Sequence, residues 1–144
     1  MLHRIVIGFL TMTENFAEKR AARRYAREYG VSYREALGII RTDTRRYRDH
    51  ATRLLIEAVE GCGITHWCGV ENWDGIERAT IVDVGGEEFS LDANRVALAL
   101  GAYFAAHTEV EPLDLDSYIA DEVIQTMLFG GVIYRNQIRR RTVA

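Results

Sequence analysis

At Gly61 the spacing of apolar residues changes its period, and only a mixed fold accommodates that change. Upstream, Tyr47, Ala51, Leu54, Leu55 and Ala58 recur every three to four residues, as on a helix with one buried face. Downstream, Ile64, His66, Cys68 and Val70 alternate with Thr65, Trp67 and Gly69, as on a half-buried strand. Trp73 to Gly75 reads as a turn, followed by strands at 78–84 and 87–91. Gly85-Gly86 between them is a two-residue hairpin signal, because the favoured turns need positive φ. That register pairs Val84 with Glu87, sets Val82 against Phe89 and Thr80 against Leu91 on the core side, and leaves Asp83 opposite Glu88 on the outer side. The helical period then returns twice. Asp92 or Asn94 opens a helix carrying Val96, Leu100, Tyr103 and Phe104, and Asp116 or Ser117 opens one carrying Ala120, Val123, Ile124, Met127 and Leu128, stopped by Gly130-Gly131. Val132 to Tyr134 reads as a short edge strand. The predicted architecture is α+β: a three-stranded antiparallel sheet packed by helices.

An arginine-rich helical pair precedes this sheet. Residues 13–29 carry Ala22, Tyr25, Ala26 and Tyr29 at helical spacing, Gly30 supplies a left-handed stop, and Ser32 with Glu35 forms a capping box. A second helix follows with Tyr33, Ala36, Leu37 and Ile40 on one face, and Thr42, Asp43 and Thr44 are expected to break it before a third. Four segments result: an N-terminal extension at 1–11, with Met12 as a candidate start, the helical pair at 12–42, the α+β domain at 43–135 and a basic tail at 136–144. Around the turn, Ala26, Gly30, Val31 and Ser32 resemble the A-x-x-x-G-V-S pattern of helix-turn-helix repressors. The pattern has a physical basis: a small residue where helices cross, a glycine where the chain reverses and a capping serine where the second helix begins. The resemblance implies DNA contact, with Arg23, Arg24 and Arg27 near phosphates and Tyr33, Arg34 and Arg41 exposed on the second helix.

Charge narrows the partners. The net charge of -3 over 144 residues conceals +4 in residues 1–60, -11 in 61–132 and +4 in the last twelve. Local potential, more than the total, steers encounter. The acidic stretch, exposed at Asp83, Glu87 and Glu88 in the expected register, offers a surface for a host protein that ordinarily binds nucleic acid. The longest apolar run, Ile5 to Leu10, is about a third of the roughly 20 residues that span a bilayer, so no membrane partner is expected. Two cysteines and no signal-like segment point to the cytoplasm.

Catalytic signals are weak. Cys62, His66 and Cys68 have C-x3-H-x-C spacing, not the paired C-x-x-C of zinc sites, so no metal or other cofactor is expected. His66 and Cys68 approach each other on a strand but lack an orienting third group. Glu71 and Asp74 flank Trp73 without a partner pattern, and no phosphate-cradling glycine motif is present.

Two stretches, Leu54 to Trp73 and Asp114 to Tyr134, resemble small proteins encoded by phages and other mobile elements. The shared anchors are Glu60, Gly61, Trp67, Asp121, Gln125, Phe129, Gly130 and Tyr134, with Cys62 standing where the pattern more often has glycine. This resemblance implies a setting rather than a mechanism. Gln125 stands out, because a glutamine on the apolar side of a helix needs buried partners. The expected function is a non-catalytic accessory protein that binds DNA through its helical pair, possible as a homodimer spanning two half-sites. The alternatives are an inhibitor of a host defence protein that mimics nucleic acid with its acidic region, and an enzyme with an unrecognised site.

Overall fold

Helical periodicity upstream of Gly61 produces two helices where three are expected from the sequence. In a computed structural model, which describes residues 18–135, α1 covers 18–29 and α2 runs unbroken over Tyr33–Val59. The 1–11 extension, Met12 and the 136–144 tail lie outside the described residues. The break expected at Thr42, Asp43 and Thr44 does not occur. Each of these residues costs about 0.7 kcal/mol or less relative to alanine inside a helix, too little to stop one whose apolar stripe resumes at Tyr47. Contacts divide the chain into two units, up to Asp43 and from Thr44 onward, and the division falls inside α2.

In the first unit Gly30 takes a φ of +67°, and the Ser32 hydroxyl accepts from the Glu35 amide at 3.1 Å, so the turn and cap form as the residue types dictate. Ala22, Ala36 and Ile40 are buried where α1 and α2 meet. Gly38 sits exposed inside α2, and a Cβ added there would meet nothing within 4 Å. It forgoes about 1 kcal/mol of helix propensity with no packing reason among the described residues.

The second unit is α+β. Strands β1 (Cys68–Trp73), β2 (Arg78–Asp83) and β3 (Glu88–Asp92) form an antiparallel sheet in that order, followed by α3 (Ala93–Ala106), a 3-10 turn at Pro112–Asp114 and α4 (Ser117–Phe129). Asp92 and Asp116 cap α3 and α4 by accepting from the amides of Arg95 and Ile119, and Gly130 ends α4 in the left-handed region. Leu54 and Leu55 of α2, Trp67, Ile81, Leu91, Val96 and Leu100 of α3 and Ile124 of α4 share one buried core. Burying a Leu, Ile or Val side chain there contributes about 1.5–3 kcal/mol.

Strand details differ from the expected ones. β1 starts four residues late, because the amides of Trp67 and Cys68 both bond the Ile64 carbonyl, at 3.1 and 3.2 Å. Ile64 and Trp67 are thereby buried three apart. Trp73 belongs to β1 rather than to a turn, since an irregularity between Val70 and Asn72 returns it to the inner face opposite Ala79. The β2–β3 register is shifted by one: Ile81, not Val82, pairs with Phe89, and Ala79 with Leu91. The cause is a three-residue loop. The Asp83 amide bonds the Glu87 carbonyl at 2.9 Å, the Gly86 amide bonds the Asp83 carbonyl, and of the two glycines only Gly86 takes a positive φ, +86°. A one-residue slip exchanges the two faces. Asp83 therefore points inward and is buried, which corrects its expected place on the outer surface. Val132 to Tyr134 forms no strand; its backbone is held by a side chain of α4.

Candidate functional site

Successive helical residues advance by 100°, so Arg23, Arg24 and Arg27 share the side of α1 away from buried Ala22. All three are exposed, and among the described residues none has an ion-pair partner. They span about 6 Å along the helix axis, against a phosphate spacing of about 3.4 Å per strand of duplex DNA. Beyond the turn, Tyr33 and Arg34 are exposed at the start of α2. Arg41 is differently placed: its Nε lies 2.5 Å from Glu18 Oε1, an ion pair that ties the third turn of α2 back to α1. The expected DNA-contacting set thus separates into four guanidiniums facing water, an exposed tyrosine, and one arginine engaged within the hairpin.

A second constellation lies in the other unit. Trp67 Nε1 and Gln125 Nε2 donate to Asp121 Oδ1 at 2.8 and 2.9 Å, and His66 Nε2 lies 2.8 Å from Asp121 Oδ2. An ionised carboxylate only accepts, so the proton of this imidazole contact sits on Nε2. Gln125 Oε1 accepts from the amides of Ile133 and Tyr134, and its Nε2 also donates to the Tyr134 carbonyl at 2.8 Å. Tyr134 stacks on Trp67 with ring centroids 5.4 Å apart and donates its hydroxyl to Asp83 Oδ2 at 3.3 Å. Phe129 meets both of those rings edge-on. Five of the anchors carried by the phage-protein resemblance, Trp67, Asp121, Gln125, Phe129 and Tyr134, therefore form one cluster. Its work is to fasten the segment after α4 across the core.

The chemistry available to this cluster is limited. The Cys68 thiol is buried, donates to the Ile64 carbonyl at 3.3 Å, and is pushed up to about 12 by burial and by the nearby Asp121 and Asp83 carboxylates. Both effects favour the thiol over the thiolate, and His66 turns to Asp121 on α4. Cys62 is exposed and lies outside the cluster. No three His, Cys, Asp or Glu side chains among the described residues converge in a way that could hold a metal ion. On the sequence alone Gln125 signals a buried polar site; its partners come from residues 121, 133 and 134, and only the fold brings in Trp67 and His66.

The acidic hairpin divides in the same way. Glu87 and Glu88 are exposed, whereas Asp83 accepts the Glu87 amide at 2.9 Å and the Tyr134 hydroxyl. Elsewhere in this unit, Tyr103 of α3 donates to Glu122 of α4 at 3.1 Å beneath the His107 ring, and Arg48 bridges Glu77 and Asn94. No helix among the described residues is long and apolar enough to cross a membrane. Comparisons with protein-family models, with curated proteins and with solved structures return no match.

Proposed function

We propose that the first unit binds duplex DNA through its phosphates, with Arg23, Arg24 and Arg27 as the contacts, in a non-catalytic accessory protein of a phage or mobile element. The observation that carries this reading is the arrangement of those three exposed guanidiniums on one face of α1, with no carboxylate partner among the described residues. A guanidinium is always charged and presents its donors in a fork that matches a phosphate. Arg34 and Tyr33, exposed beyond the turn, lie within the same unit and extend the contact. The acidic-mimic alternative is weaker at the hairpin, where burial of Asp83 leaves Glu87 and Glu88 as the exposed pair.

The test is a fluorescence-anisotropy titration of the full chain with random duplex DNA at two salt concentrations. Three phosphate contacts give a logarithmic salt slope of about -2.7, so affinity should fall roughly 40-fold between 50 and 200 mM salt. Replacing Arg23, Arg24 and Arg27 together by alanine should remove most of that slope while leaving the far-UV circular dichroism unchanged. Absence of salt-sensitive binding at 50 mM, or a triple variant that binds like the parent, refutes the reading; capture of a nuclease-resistant host protein that depends on Glu87 and Glu88 would then favour the inhibitor.

A further inference from the structure

We propose that α1 opens from α2 as a minor state of the free chain and is held closed by the phosphates it binds, so that DNA orders the element that contacts it; this rests on the phosphate contact proposed above. The opening originates in charge. Lys19, Arg23 and Arg27 stand four residues apart in one row on α1, and Arg24 lies three before Arg27, which makes three neighbouring pairs of like charge. All four side chains are exposed, and none has an ion-pair partner among the described residues. Glu28, four residues after Arg24, forms no ion pair with it. Each like-charge pair shifts a helix equilibrium toward the open form by about 1.4- to 2.3-fold, so the three together shift it by roughly 3- to 12-fold.

Little among the described residues opposes this opening. In α1 only Ala22 is fully buried, and an alanine methyl removes little apolar surface from water. Tyr25 and Ala26 are half-buried, and the Arg41–Glu18 ion pair joins side chains that are 55% and 30% exposed, where water and salt weaken it. The described part of α1, residues 18–29, is of a length that is marginal without tertiary support. The phosphates of a duplex act on both defects. Their charge replaces repulsion within the row by attraction, and Arg23, Arg24 and Arg27 share one face only while α1 is helical. A ligand shifts such an equilibrium through its differential affinity for the two states, and here the closed state alone presents the face.

Hydrogen–deuterium exchange of the full chain, read by mass spectrometry and corrected for intrinsic rates, tests the coupling, while anisotropy reports binding to the same random duplex at 50 mM salt. In the free chain the amides of residues 22–29 should exchange about tenfold or more faster than those of residues 120–125 in α4. With free duplex at about 100 times its dissociation constant, opening that forfeits the contact is suppressed up to about 100-fold, so exchange in α1 should slow by about tenfold or more while α4 is unchanged. Replacing Arg23 and Arg27 together by glutamine removes all three like-charge pairs at matched helix propensity, and should slow exchange of α1 in the free chain by roughly 3- to 12-fold. Free-chain amides of α1 as protected as those of α4 overturn the proposal, as does a double variant that exchanges like the wild type. A duplex that binds without slowing α1 overturns the coupling and leaves the phosphate contact standing. Absence of binding overturns both, and anisotropy alone reads it.

Discussion

Replacing Gln125 by leucine isolates the contribution of one buried amide. Gln125 is fully buried and makes four hydrogen bonds: it donates to Asp121 and to the Tyr134 carbonyl, and accepts from the Ile133 and Tyr134 amides. The three neutral bonds are worth about 1 kcal/mol each and the one to the carboxylate about 2 kcal/mol, for a gross loss of about 5 kcal/mol. Leucine recovers about 1–2 kcal/mol through apolar burial, and the backbone freed at 133–134 regains water, so the net loss should be about 3–4 kcal/mol. For a domain of this size that lowers the melting midpoint by roughly 10 °C. Equilibrium urea unfolding, followed by Trp fluorescence and far-UV circular dichroism, gives the value directly, and release of Tyr134 from Trp67 should alter the native emission. Gln125→Glu sharpens the test. Its carboxylate can still accept both amides but cannot donate, and at neutral pH it opposes Asp121 across a contact that is 2.9 Å in the native chain. Like charge raises the pKa of that carboxyl group, so this variant should gain stability relative to the wild type as pH falls from 7 toward 5. A loss below about 1 kcal/mol for Gln125→Leu, or a Gln125→Glu variant as stable as the wild type at pH 7, would refute the clasp.

Thiol titration of the native chain should find Cys62 reactive and Cys68 protected, with the second thiol appearing only on unfolding; two fast-reacting thiols would contradict the burial and the upward shift of Cys68. Burial and the neighbouring Glu122 raise the Tyr103 hydroxyl above its ordinary 10.0, so the folded state favours its protonated form. That contribution is intact below about pH 10 and declines as pH rises beyond it, so stability measured between pH 9 and 12 should fall less steeply in Tyr103→Phe, at a cost near neutral pH of about 1 kcal/mol.

Local chemistry was sufficient where a few adjacent residues decide the outcome. Ser32, Asp92 and Asp116 cap helices because their short acceptors reach an amide three residues on, and Gly130 ends α4 because it can turn left-handed. The register of β2 on β3 required more. Gly85-Gly86 suits a two-residue loop as well as a three-residue one, and the choice rests on Asp83, whose carboxylate binds the Glu87 amide and a tyrosine 51 residues away. The continuity of α2 through Thr42 to Thr44 likewise exceeds what a cap-by-cap reading resolves, since weak breakers yield once the flanking turns are helical. Gln125 was conspicuous as a residue type, but its partners depend on how α4, Trp67 and the segment after α4 meet.

The same register changes what the uneven charge means. Residues 61–132 hold thirteen acidic side chains against two basic ones, which suggests a continuous negative surface. The fold gives many of those carboxylates internal work. Asp74 accepts the amides of Ile76, Glu77 and Arg78, which hold its carboxyl below the usual range, and Asp83, Asp92, Asp114 and Asp116 each accept a backbone amide. Asp121 binds Trp67, Gln125 and His66, while Glu77 and Glu122 meet Arg48 and Tyr103. A unit of short strands, turns and two capped helices has many free amides to satisfy, and amide dipoles offset each bound carboxylate at close range. Much of the acidic excess therefore follows from the architecture. Arg23, Arg24 and Arg27 have no such explanation: they cap nothing, pair with no described carboxylate and pack against no core. The unevenness that remains on the surface is therefore local: Arg23, Arg24 and Arg27 on one face of α1, and Glu87 and Glu88 at the hairpin, are exposed without an ion pair among the described residues.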